Sequence, residues 1–101
     1  MFDQKSVSKD EVVLAVIGSL TGETTNEFQK KVEELSAGNW NTITLDLTRT
    51  PSINSSALGK ILLFRKQLAE RDRTLQIRGC SDALFKTFQM IKFDTLISVQ
   101  R

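Results

Sequence analysis

Apolar positions along this chain follow two rhythms, one that suits strands and one that suits helices. Glu11-Val-Val-Leu-Ala-Val-Ile17 is almost continuously apolar, which predicts a strand buried on both faces. Val7 and its neighbours suggest a short strand before it, and Gly18 and Gly22 break the pattern after it. Phe28, Val32 and Leu35 then recur at i, i+4 and i+7, the stripe of an amphipathic helix that ends at Ala37-Gly-Asn39. Thr24-Thr-Asn-Glu27 reads as a capping box at its start, with Thr24 accepting from the backbone N–H of Glu27. Glu23, Glu27, Glu33 and Glu34 against Lys30 and Lys31 give this helix a slightly acidic solvent face.

The second half of the chain repeats the alternation. Ile43-Thr-Leu-Asp-Leu47 is a strand whose Asp46 is placed to cap the following turn. From Ala57, a helical stripe is expected at Leu58, Ile61, Leu62, Arg65, Leu68 and Ala69, with the stem of Arg65 lying along it. Asp72 and Arg73 turn the chain into the strand Thr74–Arg78. Ser81 or Asp82 caps a third helix with Leu84, Phe85, Phe88 and Ile91 facing inward, and Leu96–Val99 is a closing strand. Strands separated by helices imply parallel pairing through right-handed crossovers. The expected fold is therefore α/β: a small, mostly parallel or mixed sheet of four or five strands with three or four helices packed on it, in a single domain over residues 1–101.

Charge and composition narrow the function classes. A net charge of +2 is too small a bias to imply nucleic-acid binding. One local excess stands out: Lys60, Arg65, Lys66, Arg71, Arg73 and Arg78 against Glu70 and Asp72. It reads first as a solvated helix face and turn, and second as a docking surface for an acidic partner. The longest apolar run, Val12–Ile17, is too short to span a bilayer, and the first residues lack a signal-peptide stretch. Cys80 is the only cysteine, so no internal disulfide forms; a cytoplasmic setting without membrane insertion is expected. Cys80 itself reads as a small buried residue at a strand–helix junction.

Catalytic chemistry is not apparent. There is no Gly-x-Gly-x-x-Gly, no Walker A loop and no metal-ligand spacing, and the absence of histidine removes the commonest general base. No enzyme activity, cofactor or metal is expected. What remains is the run Thr50-Pro-Ser-Ile-Asn-Ser-Ser-Ala-Leu-Gly-Lys60, where Asn54, Ser55 and Ser56 all suit a helix start. One of them caps the helix. A phosphate on a serine there would be tolerated by the N-terminal amides and dipole, but would obstruct a partner docked over the loop. The docking face expected on this basis comprises Asn54, Ser55, Ser56, Ala57 and Lys60.

The stretch Asp46-Leu-Thr-Arg-Thr-Pro-Ser-Ile-Asn-Ser-Ser-Ala-Leu-Gly59 resembles the signature of STAS domains, the anti-sigma factor antagonist family, in which Asp-Leu is followed after a short spacer by Asp-Ser-Ser/Thr-Gly-Leu-Gly. The resemblance extends to the turn Gly18-Ser-Leu-Thr-Gly22 and to the closing strand-helix-strand from Leu75 to Val99. It implies a partner-switching protein, a monomer or weak dimer when free. The unphosphorylated form would bind a GHKL-type serine kinase that is also an anti-sigma factor. That kinase would modify the motif's first serine, which maps to Ser55, with Ser56 the second choice, and a PP2C-type phosphatase would reverse the step. Related domains also serve in stressosomes, in lipid-transport complexes and at the ends of anion transporters. The alternative is accordingly a constitutively binding scaffold or transport-accessory protein. Three positions depart from the pattern: Asn54 replaces Asp, Ala57 replaces Gly, and Lys92-Phe93 replaces a Gly-Leu pair. The amide at Asn54 still caps a helix and implies slower phosphate transfer.

Overall fold

The computed structural model describes residues 2–92 and 97–101. In chain order the elements are β1 (Phe2–Ser6), β2 (Glu11–Val16), α1 (Glu23–Ala37), β3 (Thr42–Asp46), α2 (Ser55–Ala69), β4 (Thr74–Arg78), α3 (Asp82–Met90) and β5 (Ser98–Val99). The five strands form one sheet in the order β1-β2-β3-β4-β5, with β1 antiparallel to β2 and all other pairs parallel. Val7 lies beyond β1, exposed in the turn, where its N–H donates to Glu11 O at 2.9 Å. Leu96, expected to open the last strand, lies outside the described residues.

Because each crossover moves to the next strand in the same direction, right-handed connections place all the helices on one face of the sheet. The core follows this rule. Val12, Leu14, Val16, Ile43, Leu45, Leu75 and Ile77 form one cluster with Phe28, Val32 and Leu35 of α1, Ile61, Phe64 and Leu68 of α2, and Leu84 and Phe88 of α3. The expectation that β2 would be buried on both faces holds at Val13, though without a helix over the second face. Val13, only 4 % exposed, belongs to the opposite face and lies outside that cluster. Its register neighbours there are Lys5 and Thr44, so it is buried within the sheet surface rather than under a helix.

Three local expectations also change. The capping box does not form: α1 begins at Glu23, its N-cap is Gly22 at φ 57°, ψ −129°, and no side chain caps it. Only glycine adopts this backbone cheaply, so the turn into α1 is made earlier than Thr24, which falls inside the first turn. In α2 the stripe shifts, with Ala57, Ile61, Phe64 and Leu68 buried and Leu62 and Ala69 exposed. Leu58, Ile61, Leu62, Leu63 and Phe64 offer two overlapping stripes, and the sheet selects the one that buries the large Phe64 ring. In α3, Ile91 is 49 % exposed because the helix ends at Met90 and Ile91, at φ −95°, ψ 9°, leaves the inward row. Ser81 is the cap there, accepting from Leu84 N–H at 3.2 Å.

Arg73 does more than turn the chain. Its guanidinium donates to Trp40 O at 2.5 Å, Ser36 O at 2.9 Å, and Leu35 O and Gly38 O at 3.2 Å each. These carbonyls belong to the end of α1 and the chain leaving it, where no further helical turn supplies donors. Arg73→Ala is expected to cost about 1.5–3 kcal/mol, the scale of hydrogen bonds from a charged donor, and Arg73→Lys recovers only part of this because a point charge cannot fork. Urea unfolding of the three proteins measures the difference; a loss for Arg73→Ala below a few tenths of a kcal/mol would contradict the clamp.

Candidate functional site

The site begins where β3 ends. Asp46 Oδ1 accepts from Thr48 N–H at 3.0 Å and from the Thr48 hydroxyl at 2.5 Å, closing an Asx turn. Its other oxygen stands 3.7 Å from Arg78 of β4. Burial pushes the Asp46 carboxyl upward, but the Thr48 side-chain and backbone donors and then Arg78 outweigh it, leaving a net value below the ordinary 3.8. A carboxyl with a lowered folded-state pKa contributes stability that is fully present above its unfolded value and is lost as pH falls through the folded value. Acid unfolding should therefore steepen below about pH 4, and Asp46→Asn should flatten that limb. A carboxyl ¹³C titration placing Asp46 at or above 3.8 would refute this.

Past Thr48, the chain leading to α2 is held by a second loop. Gly18 N–H donates to Arg49 O at 3.0 Å, and Leu20 N–H donates to Ser52 O at 3.0 Å. Asn54 N–H donates to Leu20 O at 3.2 Å, so Leu20 and Ile53 form a bridge that prolongs the β2–β3 pairing beyond both strands. The buried Thr50 hydroxyl donates to Val16 O at 2.8 Å, and the Ser52 hydroxyl donates to Ser19 Oγ at 2.9 Å. Leu20 is fully buried and anchors this pair of loops. The Gly18–Gly22 motif marked a turn in the sequence, but its pairing with residues 49–54 carried no local signal, because it joins segments more than thirty positions apart.

The question of which residue caps α2 is resolved in favour of Asn54. At φ −85°, ψ 170°, its Oδ1 accepts from Ala57 N–H at 2.8 Å. Ser55 and Ser56 consequently occupy the first two helical positions, both exposed. Neither hydroxyl hydrogen-bonds to a described residue. Ala57 is fully buried, so it shapes the turn without reaching the surface. Lys60 is half-buried and its Nζ donates to Gln29 Oε1 at 2.5 Å, directing the ammonium toward α1. Of the five residues expected on one face, the structure thus places Asn54, Ser55 and Ser56 together at the helix start, Ala57 beneath them, and the head of Lys60 to one side. Cys80 is buried, and burial pushes its thiol up to about 11, as fits a packing residue.

Among the described residues, no group of three or more Cys, Asp or Glu side chains is arranged to hold a metal ion. No described helix is long and apolar enough to cross a membrane. The geometry defines a class: a mixed five-stranded α/β domain whose exposed hydroxyls stand at the start of its second crossover helix, held there by two paired loops. A family model described as "Mlab, STAS domain" matches residues 4–98, and the chain belongs to the STAS domain family. No curated protein matches it in sequence. Among solved structures, an anti-sigma factor antagonist from Mycobacterium paratuberculosis superposes with a TM-score of 0.88 at 12% identity, covering 99% of this chain and 84% of that one. The Bacillus cell fate determinant SpoIIAA in its phosphorylated form superposes with a TM-score of 0.77 at 20% identity, covering 98% and 90%. A sulfate transporter family protein from Wolinella succinogenes superposes with a TM-score of 0.80 at 16% identity, covering 95% and 80%. At these identities the likeness is one of fold.

Proposed function

We propose that this chain is a single-domain, cytoplasmic anti-sigma factor antagonist that works by partner switching. It binds a GHKL-type serine kinase when unmodified, is released when that kinase phosphorylates Ser55, and is reset by a PP2C-type phosphatase. The observation that carries this reading is the state of Ser55. Asn54 already caps α2, which leaves the Ser55 hydroxyl exposed at the first helical position, with no hydrogen-bond partner among the described residues. A phosphate there meets the unpaired N–H groups and positive end of the helix, so the fold accommodates it while a docked partner must desolvate a dianion. Ser55 works in this scheme as an acceptor, and the domain itself performs no catalysis. SpoIIAA, a fold relative, has a phosphorylated form, which supports phosphorylation as the kind of switch proposed here.

Incubation with the cognate kinase and ATP is expected to add one phosphate, mapped to Ser55 by peptide mass spectrometry and absent from Ser55→Ala. Modification confined to Ser56, or none, overturns the assignment. The fold relative from the sulfate transporter family favours a second reading, a constitutive accessory subunit of a transport system. That reading predicts partner binding indifferent to ATP, with Ser55→Ala behaving as wild type throughout.

A further inference from the structure

The outer face of α2 carries apolar surface that the chain itself does not use. Leu62 is 39 % and Leu63 is 55 % exposed, and with Gly59, Arg65 and Lys66 they line a shallow hollow of about 310 Å³. Ser55, Gly59, Leu62 and Lys66 fall in one row at helical spacing, so the hollow continues the face on which Ser55 opens.

Gly59 is the second observation. Glycine inside a helix is destabilising relative to alanine. Here the backbone is ordinary helix, and a Cβ would meet nothing within 4 Å, so neither conformation nor internal packing calls for it. A missing side chain on an exposed helix face permits close approach from outside. The third observation is charge. The side chains of Arg65 and Lys66 both line the hollow, and neither forms an ion pair or hydrogen bond with a described residue. Arg73 and Arg78, by contrast, are engaged by the end of α1 and by Asp46.

We propose that this face receives a protein segment carrying an apolar side chain flanked by carboxylates. The apolar group enters the hollow over Gly59 between Leu62 and Leu63, and the carboxylates reach Arg65 and Lys66. The inference rests on the reading of the Ser55 face as a docking surface and names what that surface takes. Two exposed leucines supply burial, the absent Cβ supplies proximity, and the unpaired cations select an acidic segment over a basic one.

The test uses the whole ¹⁵N-labelled chain and a synthetic helical peptide with leucines flanked by glutamates. Two matched peptides replace glutamate by lysine or leucine by serine. The acidic, apolar peptide is expected to move the amide signals of Gly59, Leu62, Leu63 and Lys66, and each control peptide to bind at least about tenfold more weakly. The double variant Leu62→Ser/Leu63→Ser should bind it at least about tenfold more weakly with an unchanged circular dichroism spectrum. Gly59→Ala should melt at a higher temperature and yet bind less well, a pairing of effects that a purely structural glycine does not produce. Shifts located elsewhere, or equal binding of the lysine peptide, overturn the proposal. So do shifts at these four residues that follow protein concentration alone, which would indicate a second copy, or that follow phosphatidylglycerol vesicles without peptide. Failure here with Ser55 phosphorylation intact removes this inference alone, and loss of phosphorylation with peptide binding intact removes only the switch.

Discussion

Gly79→Ala should lower the stability of this domain by about 2–5 kcal/mol. Two costs combine at this position. Gly79 sits at φ +77°, where a residue with a Cβ loses about 1–2 kcal/mol. A Cβ there would also collide with the Thr48 hydroxyl and lie 2.9 Å from Asp46 Oδ1, the two partners of the Asx turn that ends β3. Relieving that collision means pushing the turn off the β3–β4 junction, an overpacking cost of about 1–3 kcal/mol. The turn is also the root of the loop that carries Ser55, so the damage should extend to the proposed docking face. Against a total stability on the order of 5–15 kcal/mol, the loss is large. Gly18→Ala is the matched control. Gly18 has φ +105° but nothing within 4 Å of its Cβ direction, so only the backbone cost applies. Thermal or urea unfolding should rank Gly79→Ala well below Gly18→Ala; equal losses would mean that the Asp46–Thr48 contact contributes nothing.

Ser55→Asp should separate stability from binding. At the first position of α2 a carboxylate faces the positive end of the helix, a gain of about 0.3–1 kcal/mol or no change. A partner that covers Ser55 must bury that charge without a counter-charge, so affinity for the kinase should fall by more than tenfold, about 1.4 kcal/mol. Weakened binding with stability held or raised is the signature of a switch that acts at an interface rather than through the fold. Calorimetry that finds the affinity unchanged would place Ser55 outside the interface. A fall in melting temperature equal to the loss in affinity would mean that the substitution acts by unfolding the helix start.

Much of the architecture was legible in the sequence because it is written in local periodicity. The strand Thr74–Arg78 alternates buried and exposed residues as its sequence does, and Phe28, Val32 and Leu35 line the inner side of α1 at the expected spacing. Expectations failed where local chemistry offered competing solutions. Thr24 and Glu27 match a capping box, yet a glycine two residues earlier makes the turn. The five apolar residues at 58 and 61–64 admit two stripes, and only the position of the sheet selects between them. Arg73 looked like one of six neighbouring cations, but the end of α1 claims it through contacts more than thirty residues away in sequence.

The candidate site divides in the same way. The hydroxyls at Ser55 and Ser56, the amide at Asn54 and the absence of rival chemistry follow from the order of residues alone, as do the helices and most strands. Tertiary structure decided which of the three polar residues caps α2, and so which hydroxyls are left free. It also decided that one face of the sheet stays uncovered, and that Leu62, in the helical row of Ser55 and Lys66, faces outward rather than into the core. Propensity and period are properties of a few consecutive residues and can be read from them. Choosing between nearly equivalent stripes, caps and salt links depends on energies that arise only when distant segments pack, and those were fixed by strand order and the common hand of the crossovers.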